Sequence, residues 1–272
     1  MDLMQAAAAS AARYAFPLCI QLSVPSAPDD KRFAQTLELL ADEGFYGVEL
    51  NITDFRVWTP ERLRPLLERY SLKMTMLASG AYAREHYLSL GSRNEQLRRE
   101  SVNEFCQTML PFAGEMNCGI ICGFIKGSDD ACVSQLQRSV EDISSYADSS
   151  VVPLYLEATN HYDSPLLCTL DEAAALAGPR WNILPDTYHM NIEECSMSAP
   201  LAKYSGRYEN LHISDNNRYF PGFGAIDFFP LLQMLKATGY RGTISIEGRT
   251  HGLLSEDIQK SCRYLAAVAA RL

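Results

Sequence analysis

Three carboxylates and one imidazole, Glu157, Asp186, His212 and Glu247, stand at the ends of four short β-rich runs: VVPLYLE, WNILPD, NLHIS and TISIE. Delivered side by side by successive strands, they offer hard oxygen donors and a single nitrogen to one divalent cation. Such a donor set suits Mn2+ first, with Mg2+, Co2+ and Zn2+ as alternatives. Each carboxylate taken singly has a plainer use, capping a following helix or pairing with a nearby arginine. Four residues at matching strand ends are harder to explain that way.

The elements that must position these residues follow a strand-then-helix rhythm along the whole chain. Strands are expected at 18–22, 47–50, 73–78, 119–124, 152–158, 183–186, 210–214 and 243–247. Between them the apolar spacing predicts helices at about 30–43, from Pro60, and over 94–116, 129–146, 171–177, 198–205, 226–238 and 256–270. Eight β/α units with no composition break predict one (β/α)8 TIM barrel domain over residues 1–272, with 1–15 a segment of unassigned role. An open doubly wound sheet would be expected to carry G-x-G-x-x-G after its first strand, where this chain reads SVPSAPDD. In a barrel the active site lies at the C-terminal strand ends, where the four candidate ligands stand.

Composition narrows the function classes. A hydrophobic fraction of 47% in 272 residues supplies a sizeable core, and a net charge of −9 argues against a nucleic-acid or anionic-membrane surface. No apolar run reaches the roughly 20 residues of a membrane helix. The eight cysteines include Cys118 and Cys122 at C-x3-C spacing, but no second Cys/His pair of zinc-finger spacing follows. With no secretory leader evident, reduced structural thiols and a cytoplasmic location are expected.

The neighbours of the ligands suggest substrate contacts. His189 stands three residues beyond Asp186, and Asn160 and Asp163 follow Glu157 in LEATNHYD. Arg218, within HISDNNRYFPGFG, has the fork geometry to hold a pair of substrate oxygens. Lys126, in the loop after the fourth strand, is expected on the same face, with a surface role as the alternative. Arg249 and Lys126 are the side chains that could serve a phosphate, with a structural role as the equal alternative for either.

These residues carry a resemblance. The chain resembles the sugar phosphate isomerase/epimerase superfamily, the xylose isomerase-like barrels, through GFYGVEL, GFIKG, LEATN, DTYHMNIEE, HISDNNR, PGFG and SIEG. The match spans nearly the whole chain, and DTYHMNIEE with HISDNNR and PGFG is its specific part. The resemblance implies metal ligation by Glu157, Asp186, His212 and Glu247, with Glu157 and Glu247 doubling as the acid/base pair. It implies that His189 and Arg218 bind the sugar carbonyl end, with Asp163 where many relatives place a second glutamate. Ala158 follows Glu157 where the epimerases usually carry proline. The implied partner is a small sugar or sugar-derived substrate, with no nucleic acid or membrane, in a homodimer or homotetramer.

The implied chemistry is proton transfer through an enediolate. One glutamate removes the proton beside a carbonyl, and the other returns a proton to the opposite face or to the neighbouring carbon. The first outcome is epimerisation, and DTYHMNIEE favours a ketose 3-epimerase. The second is an aldose–ketose or hydroxypyruvate-type isomerase. From other classes stand a non-catalytic sugar-binding barrel and an endonuclease IV-like nuclease. The nuclease needs more histidines than the five in this chain.

Overall fold

The computed structural model describes residues 3–272. Eight parallel strands run in the order β6-β5-β4-β3-β2-β1-β8-β7. They are β1 (Leu18–Ser23), β2 (Gly47–Asn51), β3 (Lys73–Ala78), β4 (Gly119–Cys122), β5 (Leu154–Glu157), β6 (Trp181–Leu184), β7 (Asn210–Ile213) and β8 (Thr243–Ile246). Every neighbouring pair in that order is joined by a parallel ladder, with a shift of register between β2 and β3 at Val48/Glu49. Between β6 and β7 the sheet closes instead through a single bridge, Asp186 to His212, with the His212 N–H on the Pro185 carbonyl at 3.0 Å.

Side-chain alternation decides what faces the barrel axis. Leu77, Ile120, Leu154, Ile183, Leu211 and Ile244 point outward into the main core beneath the helices. Met76, Ile121, Tyr155 and Leu184 form a separate inner cluster, one from each of four adjacent strands. Strands covered on both faces read as continuous apolar runs, which is why they were visible in the sequence.

The helices of the outer layer are α1 (Leu3–Tyr14), α2 (Lys31–Asp42), α3 (Pro60–Arg69), α4 (Gly80–Glu85), α5 (Glu95–Glu104), α6 (Leu110–Met116), α7 (Val133–Tyr146), α8 (Leu170–Ala177), α9 (Thr187–Glu193), α10 (Ser198–Lys203), α11 (Phe228–Ala237) and α12 (Leu254–Ala269). The segment expected as one helix over 94–116 is divided. Pro111 has no N–H to donate, and the chain passes from α5 to α6 through a π-helical turn, Phe105–Met109. The N-terminal segment of unassigned role is largely α1, with residues 1–2 outside the described ones. This helix packs on α12, Ser10 Oγ accepts the Leu18 N–H at 2.9 Å, and the Tyr14 hydroxyl donates to the Glu43 carbonyl at 2.5 Å. Cys19, Cys106, Cys118, Cys122 and Cys262 are buried free thiols. No helix among the described residues is long and apolar enough to cross a membrane.

Candidate metal centre and active site

At the C-terminal mouth of the barrel, Glu157, Asp186, His212 and Glu247 each offer one donor atom within 4.8 Å of the others. Glu157 ends β5 and His212 lies within β7, while Asp186 and Glu247 come just after β6 and β8. The first three are buried and Glu247 is partly exposed. His212 Nδ1 lies 2.6 Å from Glu247 Oε2, 3.5 Å from Glu157 Oε1 and 3.8 Å from Asp186 Oδ2.

Proximity does not amount to hydrogen bonding at these atoms. His212 Nδ1, Glu157 Oε1 and Glu247 Oε2 are all buried without a hydrogen-bond partner. Orphaned buried polar atoms are rare and costly. Three of them converging with an Asp186 oxygen present the donor set that a divalent cation would satisfy, so the residues fit such an ion. The imidazole is turned for this by its other nitrogen, which lies 2.8 Å from the Glu49 carboxylate.

Asp186 also has both of the plainer uses open to a carboxylate. Its Oδ1 caps α9, accepting the N–H groups of Tyr188 at 2.7 Å and His189 at 3.4 Å. Its Oδ2 accepts from Arg218 Nη1 at 2.6 Å. Arg218 places Nη2 3.0 Å from Glu247 Oε2, and its guanidinium lies over the Tyr188 ring. Its backbone takes a left-handed φ of 63°, inside a loop that Asp215 organises by accepting from the N–H groups of Asn216, Gly222 and Ile226.

The charges are mutually dependent. Burial alone would raise the Glu247 carboxyl, but Arg218 and His212 outweigh it and hold the group well below the ordinary carboxylate range. Burial likewise opposes a charge on His212, yet Glu49 and Glu247 raise it well above the usual imidazole value. Burial also works against the Arg218 charge, and Asp186 and Glu247 override that too.

His189 is a donor aimed at the cavity. Its Nδ1 accepts the Asn160 N–H at 3.1 Å, and a backbone amide can only donate. Neutral His189 therefore carries its proton on Nε2, which lies 3.8 Å from Glu157 Oε1. Asn160 Nδ2 also contacts Asp163 Oδ2 at 2.9 Å, placing that half-exposed carboxylate at the rim.

Lys126 is not brought to the cavity. The 3-10 turn Phe124–Lys126 swings it inward, where it is fully buried with Nζ donating to the Glu157 carbonyl oxygen and, at 3.0 Å, to Thr159 Oγ1. Burial pushes its pKa down to about 8 despite the opposing field of Glu157. The same loop begins at Gly123, where a Cβ would run into Glu157 Oε2.

A cavity of 670 Å3 above the four ligands is lined by Glu157, Asp163, His189, Arg218 and Glu247, with Arg249 at its edge. Gln21, Asn51, Arg84 and Phe124 also belong to the wall and were missed in the sequence. Gln21 and Asn51 belong to β1 and β2 near their C-terminal ends, a position that marks them as wall residues once the barrel is assumed. A larger hollow of 1150 Å3 lies between α7 and α8, lined by residues such as Val140, Glu141, Leu176 and Arg180, and none of the four ligands borders it.

Comparison with known proteins finds a family and several similar epimerases. The family model described as xylose isomerase-like TIM barrel matches residues 37–268. A 3-dehydro-D-guloside 4-epimerase from Escherichia coli (strain K12) is 34% identical over 125 residues, 44% of this chain and 47% of that protein. The match thus spans about half the length of that relative. A D-psicose 3-epimerase from Enterocloster bolteae is 25% identical over 234 residues, 80% of this chain and 76% of the relative. Among solved structures, the apo form of 3-keto-D-glucoside 4-epimerase from E. coli is similar with a TM-score of 0.76 at 22% identity, covering 93% of this chain and 99% of that one. That likeness is one of fold.

Proposed function

Because the chain belongs to the xylose isomerase-like TIM barrel family, we propose that it is a metal-dependent isomerase that inverts a carbon beside a sugar carbonyl, with a ketose inverted at C3 as its substrate. The observation that carries this reading is the four-donor group, with three of its buried atoms left without hydrogen bonds. A divalent ion such as Mn2+, held by Glu157, Asp186, His212 and Glu247, would polarise the carbonyl and acidify the neighbouring C–H.

The chain's own residues do the rest. Glu157 and Glu247 flank the cavity floor, so one takes the proton from one face of the substrate carbon and the other returns a proton from the opposite face. Arg218 and His212 keep Glu247 in its ionised form. The Nε2–H of His189 donates to a substrate oxygen, while Asp163 and Arg249 meet the part of the sugar nearest solvent. Lys126 supports the Glu157 backbone from behind and takes no part in binding.

A second reading rests on the 34% identity to a 4-epimerase of a 3-dehydro sugar. There the carbonyl sits at C3 and the inverted carbon at C4, so the acid/base geometry is the same and only the substrate's placement changes.

The test is proton exchange in D2O, with Mn2+, a panel of free ketoses and 3-keto glycosides, and Glu247→Gln as control. Metal-dependent deuteration at C3 of a ketose, absent in the control, is the expected result. Deuteration at C4 of a 3-keto glycoside would select the second reading, and no exchange on any sugar would overturn both.

A further inference from the structure

Glu49 is a fully buried charged group inside the barrel that the proposed chemistry does not use. It lies on β2 within GVEL and sits across the barrel axis from β7. A carboxylate in such a place is destabilising unless its oxygens are satisfied, and here they are. Oε1 accepts from Asn210 Nδ2 at 2.6 Å, and Oε2 lies 2.8 Å from His212 Nε2 and 3.5 Å from Gln21 Nε2.

The direction of each bond is fixed from outside. Thr243 Oγ1 donates to Asn210 Oδ1 at 2.8 Å, which turns the Asn210 NH2 toward Glu49. Asn51 Nδ2 donates to Gln21 Oε1 at 2.7 Å, which turns the Gln21 NH2 the same way. Both amide neighbours therefore present donors, the complement of an ionised carboxylate, which only accepts. With its proton on Nε2, His212 completes the set.

We propose that Glu49 is a positioning residue for the metal centre: by holding the Nε2–H of His212 it fixes the ring and leaves the Nδ1 lone pair facing Glu157, Asp186 and Glu247. This rests on the metal-site reading above and deepens it. A carboxylate behind a ligating imidazole sets its tautomer, restricts its rotation and increases its basicity, and losing such a partner typically weakens metal binding by about 10- to 100-fold. Glu49 itself touches neither the cavity nor the ion. The polar chain also extends to Gln21 and Asn51 in the cavity wall, so the backing of the ligand and the substrate surface share one rigid network.

The test uses the whole chain with Zn2+ for spectroscopy and Mn2+ for affinity. Long-range 1H–15N NMR of the Zn2+-loaded wild type should show His212 protonated at Nε2 and metal-bound through Nδ1. Glu49→Gln, which keeps size and removes the charge, should bind Mn2+ about 10- to 100-fold more weakly by calorimetry, with an altered His212 15N pattern and an unchanged circular dichroism spectrum. Glu49→Asp should recover part of the lost affinity. Wild-type affinity and an unchanged His212 pattern in Glu49→Gln would overturn the inference while leaving the metal site standing. Failure of the wild type to bind either ion would overturn the site reading, and the inference with it. Should Glu49→Gln not fold, the wild-type spectrum still decides, because a His212 protonated at Nδ1 overturns the proposal on its own.

Discussion

Asp186 and His212 form the bridge that closes the barrel between β6 and β7, and both offer donors to the candidate metal centre. An ion held by this pair would span the seam where the sheet has no regular ladder. Removing it would leave four donors, three of them carboxylates, facing one another across that seam.

Metal removal should therefore lower stability as well as activity. An ion bound to the folded state alone at a hundredfold excess over its Kd contributes about 2.7 kcal/mol. For a chain of this size that is a rise of roughly 5 to 10 °C in melting temperature. Differential scanning calorimetry with Mn2+ and then with excess chelator checks it. Equal melting temperatures would show that no ion binds the native state.

Glu157→Gln and Glu247→Gln should each reduce epimerisation by roughly 100- to 10,000-fold, because each removes one partner of a two-base reaction. Glutamine keeps an oxygen donor, so metal titration alongside the rate measurement separates lost ligation from lost proton transfer. Retention of near-normal turnover in either variant would remove that residue from the acid/base pair.

His189→Leu should lower kcat/KM by about 3- to 10-fold, the effect of losing one hydrogen bond to the substrate. Mn2+ affinity should stay near that of the wild type, since His189 Nε2 points into the cavity beside the ligands and is not among the four donors. Steady-state kinetics together with calorimetric metal titration distinguishes the two effects.

Acid should weaken the outer layer at Glu95. Hydrogen bonds from Arg98, then Arg99, lower its carboxyl from the ordinary value near 4.5 to about 2, and Arg98 is anchored further by Asp142 and Ser139. A depressed carboxyl contributes stability above its unfolded pKa and loses it as pH falls through the folded one. The stability difference between wild type and Glu95→Gln should thus be full above about pH 5 and vanish toward pH 2. Urea midpoints measured across that range give the curve, and a flat difference would remove Glu95 from the acid response.

The strands were legible because a parallel strand covered on both faces must be apolar throughout, as in GIIC of β4 and LYLE of β5. The four candidate ligands were legible because they interrupt that apolarity at its end. Asp186 carried two signals at once, cap and candidate ligand; in the structure its Oδ1 caps α9 and its Oδ2 takes the Arg218 guanidinium. Helix α9 was hidden behind that double use. Lys126 could not be read correctly, since a loop position after β4 says which end of the barrel it occupies but not which way a 3-10 turn will point it. Glu49 was not singled out within GFYGVEL, because its partners, Asn210 and His212, lie some 160 residues away in sequence.

Gly123 has the widest reach of these features. Its φ of −96° is not left-handed; what a side chain there would meet is the carboxylate of Glu157, which would have to shift to make room. A Gly123→Ala change would therefore have to move the Glu157 carboxylate, and with it one member of the four-donor group, without touching any of the four. The spacing of that group is set in part by a residue that carries no side chain at all.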